Sequence, residues 1–194
     1  MLTGEIRSQD DSVWNAFWTG GISNPLEVIE QITYLLFLRR LDEQHDKAVM
    51  MAEHLGTKPE RLIFPKGKTD KGIAFEQLRW RKFKDLEARQ MYERVADHVF
   101  PFLRTLGTDG SSYTQHMKDA RFTIPTPALL AKVVDLIDKI PMHERDTKGD
   151  LYEYMLGKIA SAGTNGQFRT PRHLINLMVA LTDPKPRATQ AKSV

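Results

Sequence analysis

Side chains able to do chemistry are present in this chain, but they are not arranged in any familiar catalytic spacing. The six histidines, His45, His54, His98, His116, His143 and His173, include no i, i+3 or i+4 pair, so a helix-borne metal site of the HExxH kind is absent. Each reads as a surface or capping histidine. With no cysteine, thiolate metal sites, disulfides and cysteine nucleophiles are excluded together. No GxGxxG, GxxxxGK[ST] or GxSxG occurs, which removes motif support for dinucleotide, P-loop and serine-hydrolase chemistry. The carboxylates show no diagnostic pairing. Read from the residues alone, no active site assembles.

Two stretches remain that could bind. From Arg61 to Lys84 there are eight basic residues against Asp70 and Glu76, a local charge of +6 in a chain whose total is +3. Within it, Arg79-Trp80-Arg81-Lys82-Phe83-Lys84 interleaves cations and aromatics, as a phosphate-backbone contact would, because each cation beside a phosphate releases a counterion. The alternative is a solvated helix face whose Trp80 and Phe83 point into the core. The second stretch is Gly166-Gln167-Phe168-Arg169-Thr170-Pro171-Arg172, a glycine-punctuated loop entering a helix with Thr170 as cap and Pro171 in the first position. Unpaired N–H groups and the positive dipole end there attract a carboxylate or phosphate. A plain helix start is the alternative, since Thr126-Pro127 repeats the cap chemistry with no ligand suspected.

The elements that would position these stretches are helical. Val13, Trp14, Phe17 and Trp18 share a face of a short helix closed by Gly20-Gly21. Asn24 as cap, Pro25 and Glu27 open a long helix carrying Leu26, Ile29, Ile32, Leu35, Leu36 and Leu41, which should run to about Leu55 and stop at Gly56. Residues 57–72 read as irregular. Helical period returns at Phe75 and over Asp85 to Val99, through Leu86, Met91, Val95 and Val99, with a break expected near Pro101. Gly107 to Ser112 is another loop. A helix from Thr126-Pro127 should bury Leu129, Leu130, Val133, Val134 and Ile137 and end before Pro141. Leu151, Tyr152, Met155, Leu156 and Ile159 repeat the pattern, and the last helix uses Leu174, Ile175, Met178 and Val179. No stretch alternates with period 2, so the body to about Met142 reads as a helical bundle with two further helices after it.

The same residues carry a family resemblance. Gly149-Asp150-Leu151-Tyr152-Glu153-Tyr154-Met155-Leu156, then Gly166 to Arg172, then Leu177-Met178-Val179, resemble the run leading into the methyltransferase domain of the modification (M) subunits of type I restriction-modification systems. Val13-Trp14-Asn15-Ala16 and Leu35-Leu36-Phe37-Leu38-Arg39-Arg40-Leu41-Asp42 are similar to that subunit's opening helices. The resemblance implies an all-α N-terminal bundle over residues 1–142, and over 143–194 a linker and the truncated start of an α/β methyltransferase domain. The implied parent reaction is methyl transfer from S-adenosylmethionine to N6 of adenine in specific double-stranded DNA. It places Gln167, Phe168, Arg169, Thr170, Pro171 and Arg172 beside the cofactor, with Arg169 where the family often has an aromatic. It implies as partners a specificity (target-recognition) subunit, a second M subunit and the restriction subunit.

The family's glycine-rich loop, DPACGTGGF, and its NPPF or NPPY tetrapeptide do not occur in these 194 residues. The chain by itself is therefore expected to be inactive and to bind little or no S-adenosylmethionine. Its expected contribution is DNA clamping through Arg79, Arg81, Lys82 and Lys84, together with subunit contacts. The competing reading is a stand-alone helical interaction module with no enzymatic parent. An apolar content of 41% argues against disorder, and the longest apolar run, Ile32 to Leu38, is far below the roughly 20 residues of a membrane span. Met1 to Arg7 lacks the apolar core of a signal peptide, so a cytoplasmic protein with no membrane partner is expected.

Overall fold

The structure, a computed structural model, describes residues 4–59, 62–106, 117–140 and 172–182. Among them every regular element is helical, and extended backbone pairs only at an isolated antiparallel bridge between Lys68 and Ala74. The chain divides into two units, residues 1–156 and 157–194. The first holds α1 (Gly4–Thr19), α2 (Pro25–His54), a 3-10 turn (Phe75–Leu78), α3 (Trp80–Phe83), α4 (Ala88–Arg94), a π-helical turn (Val95–Val99), α5 (Phe100–Thr105) and α6 (Pro127–Asp138). The second holds α7 (Arg172–Thr182). The helix expected around Leu151 to Ile159, the loop at Gly107 to Ser112 and the Thr170-Pro171 cap lie outside the described residues.

The long helix forms as its end signals require. Asn24 Oδ1 accepts the Leu26 N–H at 3.0 Å, Pro25 occupies the first position, and Gly56 at φ +63° turns the chain away after the Leu55 cap. Ile29, Ile32, Leu35 and Leu41 are buried, whereas Leu26 in the first turn is exposed. The inward stripe instead runs through Val28, Ile32, Leu35, Leu38 and Leu41, and it also contains the polar Gln31, Asp42 and His45. In α6 the Thr126 hydroxyl accepts the Leu129 N–H at 3.2 Å, and all five expected apolar residues are buried.

Two expectations are corrected by packing. Trp18 is 53% exposed, because the buried face of α1 is Val13, Ala16 and Phe17, an i, i+3, i+4 stripe that leaves Trp18 one residue round toward solvent. Pro101 does not break the helix. Val95–Val99 widens into a π turn in which the Phe100 N–H reaches Val95 O, so the missing N–H of Pro101 falls where the register has already shifted, and α5 continues the rod.

Between α5 and α6, residues 120–126 run without a strand partner among the described residues, and side chains satisfy their backbone instead. The buried Gln31 amide donates to Arg121 O at 2.9 Å and accepts the Thr123 N–H at 3.2 Å. Tyr92 donates to Ile124 O and Arg104 to Ala120 O, each at 2.9 Å. Arg39 of α2 donates to the terminal carbonyls Ile137 O and Ile140 O at 2.6 and 2.8 Å, closing the end of α6.

α6 packs on α1 and α4, and its approach to α1 is set by Gly20. A Cβ there would meet the two Leu129 δ-carbons at 2.5 and 2.6 Å and the Ala16 carbonyl at 2.9 Å. Gly20→Ala should therefore lower stability by about 1–3 kcal/mol in urea unfolding, the range for overpacking a close contact. An unchanged midpoint would mean that the two helices are not held this close.

Candidate nucleic-acid interface

The basic segment does not lie on the surface as one face. It threads under α2, and its residues meet different fates. Arg79 caps α3 from an extended backbone conformation, and its side chain turns inward until the residue is 6% exposed. Its Nε donates to Asp42 Oδ1 at 2.5 Å, its Nη1 to both Glu76 oxygens at 3.2 and 3.3 Å, and its Nη2 pairs with Asp46. The other Asp42 oxygen accepts the Arg81 N–H at 3.0 Å and Arg81 Nε at 3.3 Å, while the Arg81 guanidinium also pairs with Asp46. Both oxygens of the buried carboxylate are thus satisfied. Two guanidinium groups face three carboxylates, so this node carries no surplus positive charge.

The helix that Arg79 opens turns its aromatics inward. Trp80 and Phe83 are buried edge to face with ring centres 5.3 Å apart, the arrangement of a helix face seated on the core. The Trp80 indole donates to Asp138 Oδ1 and Lys84 Nζ to Asp138 Oδ2, each at 2.7 Å, tying α3 to the end of α6. Burial alone would raise the Asp138 carboxyl; the hydrogen bonds from Lys84 and Trp80 and the charges of Lys84 and Arg39 outweigh it and hold the group below its ordinary value. Lys82 alone of the four expected DNA contacts is exposed with no ion pair among the described residues, and Arg81 is half-exposed.

His45, one turn beyond Asp42, is buried and not a surface histidine. Its Nδ1 accepts the Phe64 N–H at 3.3 Å, and burial followed by the nearby Arg79 charge pushes its pKa down, so it stays neutral. Asp42, Asp46 and His45 were missed as site-builders in the sequence, although a signal existed: Gln31, Asp42 and His45 occupy the apolar stripe of α2, where a polar residue requires a partner.

Among the described residues no group of three or more His, Asp or Glu could hold a metal ion, and no helix is long and apolar enough to cross a membrane. The expected cofactor contacts Gln167, Phe168, Arg169, Thr170 and Pro171 and the side chain of Arg172 lie outside the described residues. Beyond them, Leu174, Ile175, Met178 and Val179 on α7 are exposed.

Comparison with known proteins gives this geometry a family. Residues 6–137 match the HsdM N-terminal domain, and residues 143–191 match the N-6 DNA Methylase family. The chain is 28% identical over 178 residues to the type I restriction enzyme EcoEI methylase subunit of Escherichia coli, covering 85% of this chain and 33% of that protein. It is 31% identical over 124 residues to the StySPI methylase subunit of Salmonella potsdam, covering 58% and 22%. A chain from a structural study of complex assembly and conformational transition in the type I R-M system superposes with a TM-score of 0.62 at 25% identity, covering 91% of this chain and 36% of that one. This chain belongs to the HsdM N-terminal domain family and corresponds to the N-terminal portion of type I methylase subunits, about a third of the length of the first relative.

Two outcomes follow from the node. Arg79→Ala should destabilise the fold by about 3 kcal/mol in urea unfolding, because it strands a buried carboxylate, whereas Lys82→Ala should stay within about 0.5 kcal/mol; equal effects would deny the inward role of Arg79. Because Asp138 is held below its ordinary value of 3.8, its contribution is present above that pH and lost as pH falls through the lower folded-state value. Acid unfolding should therefore be shallower in Asp138→Asn than in the unsubstituted chain, and superimposable acid limbs would contradict the assignment.

Proposed function

We propose that this chain is the helical, DNA-facing arm of a type I modification methyltransferase together with the beginning of its catalytic domain, divided at residues 142 and 143. The observation that carries the reading is the tandem order of the two family matches, 6–137 and then 143–191, along one chain. A stand-alone interaction module would have no reason to carry the second. The whole enzyme would transfer a methyl group from S-adenosylmethionine to N6 of adenine, which requires the base to leave the stack of double-stranded DNA. On the family resemblance, Gln167 to Arg172 would lie at the cofactor's methionine end. The DPACGTGGF loop and NPP-aromatic tetrapeptide are absent from these residues, so residues 1–194 alone would transfer no methyl group.

In this reading the helical body grips DNA from outside and leaves sequence choice to a specificity subunit, with a second M subunit and the restriction subunit as the other partners. Lys82 faces the phosphates; Arg79, Arg81 and Lys84 hold the helix that presents it. Fluorescence anisotropy with labelled duplexes of unrelated sequence tests this. Binding should be equal across sequences at about 50 mM salt and weaken at least tenfold by about 200 mM, as counterion release demands. Titration of S-adenosylmethionine should give little or no heat. Failure to bind duplex at low salt would contradict the DNA-facing role, and methylation by this chain alone would contradict its inactivity.

A further inference from the structure

The segment before α3 holds cations that the buried node does not consume. Residues 66–74 form a tight, pinched loop: the Lys68–Ala74 bridge closes it, the Phe75 N–H donates to Gly67 O at 3.2 Å, the Thr69 N–H to Ile73 O at 2.8 Å and the Gly72 N–H to Thr69 O at 2.8 Å. Gly67 at φ +126° and Gly72 at φ +80° make the two sharp reversals, which a side chain would strain. The base of the loop is seated on aromatics. Phe64 stacks on Phe102 at 5.4 Å, and Phe75 meets the same ring at 5.4 Å.

From this anchored base Lys66, Lys68 and Lys71 project, all exposed and none in an ion pair among the described residues. Asp70 is the single acidic residue of the loop, leaving it at +2. Arg94 and Lys71 both lie close enough to His98 for their charges to act on it. Arg94 Nη1 donates to Gln77 O at 3.3 Å, and after burial the charges of Lys71 and Arg94 are the next causes that push His98 down. Lysine side chains on a backbone already fixed by hydrogen bonds lose only their own rotamer freedom on meeting a phosphate.

We infer that the pinched loop is a preformed contact for the phosphate backbone of duplex DNA, with Lys66, Lys68 and Lys71 as its cations. The inference rests on the DNA-facing reading above and names the surface that carries most of it. The duplex fits because loop and node divide the cations cleanly: Arg79, Arg81 and Lys84 are met by carboxylates, and among the described residues the loop lysines are not. Contacts of this kind position a duplex without reading its sequence.

The test measures duplex affinity against salt for the full chain, for Lys66→Gln/Lys68→Gln/Lys71→Gln, for Lys82→Gln and for Asp70→Asn. The triple variant should lower the slope of log affinity against log salt by about 2.7, at roughly 0.9 per phosphate contact, with its unfolding midpoint unchanged. Lys82→Gln should lower it by less than about 1. Asp70→Asn should bind severalfold more tightly, a gain that misfolding cannot imitate. Binding by the full chain with an unchanged slope in the triple variant would overturn the loop contact and leave the DNA-facing reading standing. No binding by the full chain would overturn both.

Discussion

A carboxylate on the inward stripe of a helix has to be neutralised where it sits, and the rest of this structure is organised around how Asp42 meets that demand. An unpaired charge at that depth would cost more than a domain of this size has to spare. Arg79 supplies the counter-charge, and the Arg81 N–H and guanidinium complete the hydrogen bonding of the second oxygen. To bring Arg79 there, the chain must pass beneath α2 and start α3 at that point. Trp80 and Phe83 then face the core, and Lys84 arrives beside Asp138. One ion pair therefore decides the orientation of α3 and its link to α6.

The node also divides the charges of the basic segment. In sequence it reads as a continuous run of positive charge, and the expectation that Arg79, Arg81, Lys82 and Lys84 act together follows from that run. In three dimensions Arg79 and Arg81 meet three carboxylates and Lys84 meets a fourth, which leaves Lys82 and the loop lysines as the segment's cations without an ion pair among the described residues. The aromatic residues interleaved with them are packing residues. A basic, aromatic-rich hexapeptide can thus serve mainly as a clasp, while the exposed lysines lie a few residues upstream on a loop whose backbone is closed by its own hydrogen bonds.

Much of the fold was legible because its signals are local. The Asn24-Pro25 and Thr126-Pro127 starts, the Gly20-Gly21 and Gly56 stops and the apolar stripe of α6 are decided within a turn or two of chain. What escaped depends on partners distant in sequence. Asp42 and Arg79 are 37 residues apart, and nothing near either names the other. The exposure of Trp18 depends on where α6 crosses at Gly20, and the continuation through Pro101 depends on a π turn that a 3.6-residue period does not anticipate. A polar residue in the apolar stripe of α2 was the readable warning. Its position shows that a partner is required, and only the fold shows which one.

The central claim, that Arg79 is an internal brace and not a ligand-facing cation, is tested most directly by a double-mutant cycle between Arg79 and Asp42 read by urea unfolding at neutral pH. Arg79→Met, Asp42→Asn and their combination should give a coupling energy of about 2 kcal/mol, as expected for contacting partners in a buried network. A coupling near zero, with the two single costs simply adding, would mean that the two side chains do not depend on each other and would return Arg79 to the surface.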